Sequence, residues 1–127
     1  MALDFISLQD VLRIHKDQVE RYGGSPGVRD MGLLESALAM PQAGFRGEYF
    51  HTDIFEMAAA CLFHIVKNHP FVDGNKRGGA ATALVFLELN GRDVDASNEA
   101  LVQITLAVAE GKAAKSAVAE FFRKHAR

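Results

Sequence analysis

Ile54-Phe55-Glu56-Met57-Ala58-Ala59-Ala60-Cys61-Leu62-Phe63-His64-Ile65-Val66 is apolar at every position except Glu56 and His64. A helix that is hydrophobic all round is buried all round. A second run of the same kind, Ala80 to Leu89, ends at Asn90-Gly91, a standard helix stop. Two such helices cannot both lie on the outside of a 127-residue protein. They are expected to form the central pair of a helical bundle, with amphipathic helices packed around them.

Outward from that pair, the remaining helices carry local start and stop signals. Ser7 with Asp10 three residues later is a capping-box pattern. Leu8, Val11, Leu12, His15, Val19 and Tyr22 then recur at helical steps until Gly23-Gly24. Asp30 caps a shorter helix carrying Leu33, Leu34, Ala37 and Leu38, closed by Pro41. Thr52 or Asp53 opens the first central helix, with Glu56 at the box position. Ser97 starts a helix that runs to Gly111, and Ser116 starts the last one. There Val118, Phe121 and Phe122 face inward, while Arg123, Lys124 and Arg127 suit the negative end of the dipole. The expected fold is all-α, a compact bundle of about six helices.

The stretch from Ala43 to His51 has no helical period. Phe45, Tyr49 and Phe50 stand among Gly44, Arg46, Gly47 and Glu48, which reads as a short flap or hairpin before the central helix. Two readings of its aromatics stand: a surface that touches another molecule, and a loop folded onto its own core, the commoner fate of loop aromatics.

Composition bounds the partners. The chain is 49% hydrophobic and 24% charged with a formal charge of −2, an ordinary balance for one globular domain over 1–127. A nucleic-acid coat needs a strongly basic face, so direct nucleic-acid binding is not expected. A single cysteine, Cys61, excludes an internal disulfide and a multi-cysteine zinc site. Met1 to Asp10 carries Asp4 and no long apolar run, unlike a secretory leader. No stretch reaches the ~18 apolar residues of a membrane span. A cytoplasmic protein with no membrane partner is expected. His15, His51, His64 and His125 lack metal-ligand spacing; His64, Cys61, Met31, Met40 and Met57 read as packing or boundary residues.

Chemistry concentrates between the central helices, in His69-Pro70-Phe71-Val72-Asp73-Gly74-Asn75-Lys76-Arg77-Gly78-Gly79. This loop is pinned at both ends by core packing and delivers the N-terminus of the Ala80–Leu89 helix, where unpaired N–H groups converge. Gly74 permits a tight turn that aims the amides of Gly74, Asn75 and Lys76 into one anion nest. Lys76 and Arg77 add two cations, each opposing the helix dipole by roughly 0.3–1 kcal/mol, an arrangement that suits a bound anion. Asp73 makes sense there if Mg2+ bridges it to phosphates. His69 has the chemistry to accept a hydroxyl proton near neutral pH. A helix cap at His69 and ordinary turn chemistry at Asp73-Gly74-Asn75 is the structural alternative.

His69-Pro70-Phe71-Val72-Asp73-Gly74-Asn75-Lys76-Arg77 resembles the signature of the Fic/Doc superfamily, His-Pro-Phe-x-Asp/Glu-Gly-Asn-x-Arg. Tyr22-Gly23-Gly24, Gly27-Val28-Arg29-Asp30 and Gly32-Leu33-Leu34-Glu35-Ser36-Ala37-Leu38 are similar to the N-terminal part of the Doc ("death on curing") toxins, so the likeness spans most of the chain. It implies that His69 is the base acting on a target-protein hydroxyl and that Phe71 anchors the loop. It further implies that Asp73 holds the metal, and that Gly74, Asn75, Lys76 and Arg77 hold the nucleotide phosphates. Lys76 and Arg77 then also stabilise charge during catalysis. Phe45, Arg46, Gly47, Glu48 and Tyr49 fall in the place of the family's flap, which aligns the target chain, by strand addition in one reading.

Members that transfer AMP have glycine where this chain has Lys76, and a second arginine where it has Ala80. Lysine fills space that a β-phosphate would enter and adds a charge. Doc-type members share the Asn-Lys-Arg ending. The resemblance therefore implies an ATP- and Mg2+-dependent kinase that phosphorylates a Ser or Thr on a translation protein such as elongation factor Tu and arrests growth. AMP transfer by the same fold, or a non-catalytic module binding nucleotide or antitoxin, are the alternatives. The family's inhibitory helix reads Ser/Thr-x-x-x-Glu-Gly/Asn. Here Thr52 to Glu56 is followed by Met57, and Thr105 to Glu110 is one residue too long. Inhibition is expected in trans, by an antitoxin segment folding as a helix into a groove near the loop.

Overall fold

Six helices and one two-stranded hairpin make up the described residues, 3–127, of the computed structural model. Helix α1 (Leu8–Tyr22) starts on a complete capping box, Ser7 accepting from the Asp10 N–H and Asp10 from the Ser7 N–H. It buries the stripe Val11, His15 and Val19. Asp30 caps α2 (Met31–Ala39), Asp53 caps α3 (Ile54–Asn68) and Ser97 caps α5 (Asn98–Ala109), each through its side chain. Thr52 also bonds Glu56, through both its N–H and its hydroxyl. Among the described residues no helix is long and apolar enough to cross a membrane.

α3 is the axis of the bundle: α4 (Asn75–Leu89) packs along one side and α6 (Lys115–His125) along another, with α2 and α5 completing its cover. The all-α bundle with its central pair follows from the two apolar runs. The detail of the second run differs. α4 begins at Asn75, five residues before Ala80, because Gly78 and Gly79 lie inside its first turns. Each glycine costs roughly 1 kcal/mol in a helix interior, and packing explains the second. A Cβ on Gly79 would lie 3.1 Å from Val66 Cγ2 and 3.2 Å from the Leu62 carbonyl, so its absence lets α4 press against α3. Nor is this helix buried all round. Leu89 is exposed and Ala81, Leu84 and Val85 are half-buried.

Other expectations shift by smaller amounts. α6 starts at Lys115, with Ala114 at the cap position and no side-chain cap, so Ser116 lies inside its first turn. Met31, read as packing, is exposed. Arg123 is bound to Asp53 at 2.9 Å and to Glu120, which fastens α6 to the start of α3. The flap is a two-residue hairpin, β1 (Gly44–Phe45) against β2 (Glu48–Tyr49). Arg46 (φ 52°) and Gly47 (φ 81°) form its turn, both in the left-handed region that suits the twist of a tight hairpin. Its aromatics point out: Phe45 is 66% and Phe50 65% exposed, and Tyr49 rests an edge on Phe5 at 5.7 Å.

Lys115 ties the flap's end to the bundle. Its Nζ lies 2.9 Å from His64 Nε2 and 3.1 Å from His51 Nε2. Burial first, then the Lys115 charge and His51, push the His64 pKa down to about 4. The unfolded chain takes up that proton near pH ~6.5. Between these values the unfolded state binds protons that the folded state refuses, so stability falls as pH drops. The melting temperature is expected to decline across this window, and less steeply in His64→Gln. Equal slopes for the two proteins would refute the assignment.

Candidate active site

The loop between α3 and α4 is shaped by bonds from three directions. His69 ends α3 in the left-handed conformation (φ 53°, ψ 53°), its N–H donating to the Ile65 carbonyl at 3.1 Å. That conformation is uncommon for a residue with a Cβ. It is held by Arg29, whose Nε donates to the His69 carbonyl at 2.8 Å and whose Nη2 donates to the Asn68 carbonyl at 3.2 Å. The Pro70 carbonyl accepts from the N–H groups of Arg29 and Asp30, and the Val72 N–H donates to Gly27. The segment before α2 is thus stitched along the whole loop.

From inside, Phe71 is fully buried, and Asn75 closes a clamp on its backbone. Asn75 Oδ1 accepts from the Phe71 N–H at 2.9 Å and Nδ2 donates to the Phe71 carbonyl at 3.1 Å. From below, His15 of α1 is 4% exposed and lies flat on the Phe71 ring, centroids 3.7 Å apart and planes 3° from parallel. Its Nε2 sits 2.7 Å from the Asp73 carbonyl, which can only accept, so Nε2 carries the proton. A Cβ on Gly74 would come within 3.3 Å of that same nitrogen.

These supports open a cleft of about 540 Å³ in which His69, Asp73, Gly74, Asn75, Lys76 and Arg77 all take part. Gly74 begins α4 with φ 74° and no side chain caps the helix, whose first internal bond is Gly78 N–H to the Gly74 carbonyl. The N–H groups of Asn75, Lys76 and Arg77 are therefore the unpaired donors of the first turn. Such a turn accepts phosphate oxygens readily. Asp73 Oδ2 accepts from the Ser25 N–H at 3.2 Å and Oδ1 from the Gly74 N–H at 2.9 Å. Those two bonds, Ser25 first, hold its carboxyl below the usual range, so it is an anion at neutral pH. Gly24 beside it has φ 115°, a backbone conformation that favours glycine, and a Cβ there would lie 2.8 Å from Oδ2. Arg77 is fixed in place, its Nη1 donating to the Tyr22 carbonyl at 3.0 Å and its guanidinium stacked 4.8 Å over the Tyr22 ring. Lys76 is exposed at the cleft mouth.

The structure brings His69, Asp73, Gly74, Lys76 and Arg77 together. It separates Asn75 from the group in one respect: the side chain is spent on the Phe71 clamp, leaving its backbone N–H to the cleft. The flap residues Phe45, Arg46, Gly47, Glu48 and Tyr49 do not line this cleft. Sequence reasoning passed over His15, Arg29 and Tyr22 as parts of the site. His15 carried one signal, a polar residue on the buried face of an amphipathic helix. His15→Phe keeps the stack and removes the bond to Asp73. It is expected to cost about 1 kcal/mol in thermal unfolding and to displace Asp73. Unchanged stability would show the bond to be idle.

An exposed imidazole, a carboxylate ionised at neutral pH and an uncapped helix N-terminus with two cations suit binding of a phosphorylated anion with a divalent metal and proton transfer beside it. A family model described as the Fic/DOC family matches residues 5–87. The chain is 37% identical over 119 residues to "Protein kinase doc" of Escherichia phage P1, an alignment covering 94% of this chain and 93% of that protein. It is 46% identical over 70 residues to "Toxin Doc" of Mycolicibacterium smegmatis, covering 55% of this chain and 54% of that one.

Proposed function

The chain belongs to the Fic/DOC family, and on that premise we propose that it is a toxin kinase transferring the γ-phosphate of ATP to a Ser or Thr hydroxyl of a translation protein. The observation that carries this reading is the single cleft holding His69, Asp73, the open first turn of α4, Lys76 and Arg77. The likeness to a protein named as a kinase supports the reaction class.

His69 accepts the proton of the target hydroxyl, whose oxygen attacks the γ-phosphorus as the bond to ADP breaks. The N–H groups of Asn75, Lys76 and Arg77 hold phosphate oxygens, and Arg77, pre-positioned by Tyr22, stabilises charge without reorganising. Asp73, ionised and set at the edge of the same cleft, is the residue that would hold Mg2+. Bound there, the ion would neutralise phosphate charge. Lys76 stands where a glycine would admit a second phosphate, which favours presentation of the γ-phosphate. The flap hairpin, whose aromatics are exposed, would receive the target chain. Elongation factor Tu is the target that the family resemblance suggests.

The test uses ATP labelled at the α or γ position, with Mg2+ and a cell lysate or purified elongation factor Tu. Label moving from the γ position alone supports the kinase. Transfer from the α position, or no transfer at all, refutes it.

A toxin of this kind requires an antitoxin. A second cleft of about 520 Å³ runs between α1, α4 and α5, sharing Tyr22, Lys76 and Arg77 with the first. Its wall includes Leu84, Leu101, Val102 and Leu106, of which Val102 is 53% and Leu106 42% exposed. An amphipathic antitoxin helix fits such a groove, where it would reach the active cleft through the shared residues. Co-expression with the adjacent gene's product is expected to relieve toxicity, and Val102→Asp to weaken that relief. A toxin insensitive to its neighbour counts against this control.

A further inference from the structure

The planar peptide units on either side of a residue define its φ and ψ. At His69 both units are held by one side chain. Arg29 Nη2 donates to the Asn68 carbonyl at 3.2 Å, in the unit before the His69 Cα. Arg29 Nε donates to the His69 carbonyl at 2.8 Å, in the unit after it. The Arg29 N–H donates in turn to the Pro70 carbonyl at 2.7 Å, so a single residue takes three successive carbonyls. The first two are acceptors left free at the end of α3, where a guanidinium also suits the negative end of the helix. His69 is exposed, and among the described residues its hydrogen bonds run through its backbone alone. The direction of its imidazole therefore starts from φ 53° and ψ 53°. Helix ends in that conformation usually fall to glycine, and a histidine kept there has a side chain whose direction matters.

We propose that Arg29 is a positioning residue for phosphoryl transfer, fixing the Cα–Cβ bond of His69 so that the imidazole faces the target hydroxyl; this rests on His69 being the base. Arg29 is not part of the cleft wall, whereas His69 is. An imidazole on a loosened turn loses the alignment that proton transfer needs, and a misplacement of about 1 Å can cost ~10²-fold in rate. The fork of the arginine is specific to this task. It holds two carbonyls at a fixed mutual angle, where a lysine ammonium is one point on a flexible stem. The rest of the site has other supports. The phosphate donors lie in the first turn of α4, and Asp73 is held by Ser25, Gly74 and His15. The effect of the Arg29 side chain is thus confined to His69.

Arg29→Lys tests this, since it keeps the charge and the backbone bond to Pro70 and so leaves the segment before α2 docked. Arg29→Gln, with one amide in place of the fork, is the second variant and is expected to behave alike. With the acceptor protein that the wild type labels, kcat for γ-phosphate transfer is expected to fall roughly 10–100-fold while KM for ATP stays unchanged. In a His69→Asn background, which has no imidazole to aim, the same change is expected to leave the residual rate where it was. An equal fold-loss in both backgrounds, as a merely structural arginine would give, overturns the proposal, and so does no loss in either. Chemical shifts of the His69 backbone and Cβ give a reading without nucleotide. They are expected to leave their left-handed values in Arg29→Lys, and unchanged shifts overturn the proposal as well. Wild-type protein that moves no γ-label refutes the kinase reading instead, and the shifts then decide by themselves whether Arg29 positions His69.

Discussion

Replacement of His69 by asparagine is expected to lower phosphoryl transfer by about 10²–10⁴-fold and to leave nucleotide affinity nearly unchanged. The choice of asparagine follows from the backbone. His69 occupies the left-handed region with φ 53°, where asparagine is tolerated and alanine is strained by roughly 1–2 kcal/mol. His69→Asn therefore removes the imidazole without disturbing the turn, whereas His69→Ala adds a stability loss that confuses the reading. The bonds that place the turn run through the His69 carbonyl and N–H, to Arg29 and Ile65, and neither needs the side chain. The phosphate donors lie on the other side of the loop, in the first turn of α4. Rapid-mixing assays of γ-phosphate transfer, paired with calorimetric titration of nucleotide, separate the two effects. Transfer by His69→Asn at the wild-type rate would show that another group takes the proton.

What could be read from the residues, and what could not, divides by distance along the chain. The caps at Ser7, Asp30, Asp53 and Ser97 were legible because a cap and its partner lie within three residues. The central pair was legible because all-round hydrophobicity leaves a helix nowhere else to go. The start of α4 was not, since Gly78-Gly79 look like a break until Val66 and Leu62 of α3 are seen pressed against the second glycine. His15 meets Asp73 across 58 residues, and Arg29 meets His69 across 40, so neither contact leaves a local pattern. Asn75 shows a mixed case. Its place in the signature was visible, but its side-chain bonds to Phe71 appear only once the turn is closed. The direction of the flap aromatics depends on the twist set by Arg46-Gly47 and on what the bundle offers beneath, and composition carries neither.

Phe71→Ala is expected to destabilise the protein by about 3–5 kcal/mol, a large part of the ~5–15 kcal/mol that holds a domain together. The ring is fully buried, and its surroundings cannot collapse to fill the space it leaves. On one face lies His15, fixed by its bond to Asp73; nearby is Gly78, which has no side chain to move inward. Loss of the ring also loosens His15 beneath Asp73, so the damage reaches the site. Asn75→Ala acts on the same turn by another route, leaving the buried N–H and carbonyl of Phe71 unpaired at about 1–3 kcal/mol. Because both residues hold one turn, their effects are expected to be non-additive, the double variant losing less than the two single losses combined. Denaturant unfolding of the four proteins measures this coupling. Strict additivity would mean that the ring and the clamp act on separate parts of the fold, and that the loop is not positioned as one unit. With coupling present, transfer activity in conditions where each variant remains folded should fall in step with the loss at the turn, since His69 and Asp73 flank Phe71 on either side.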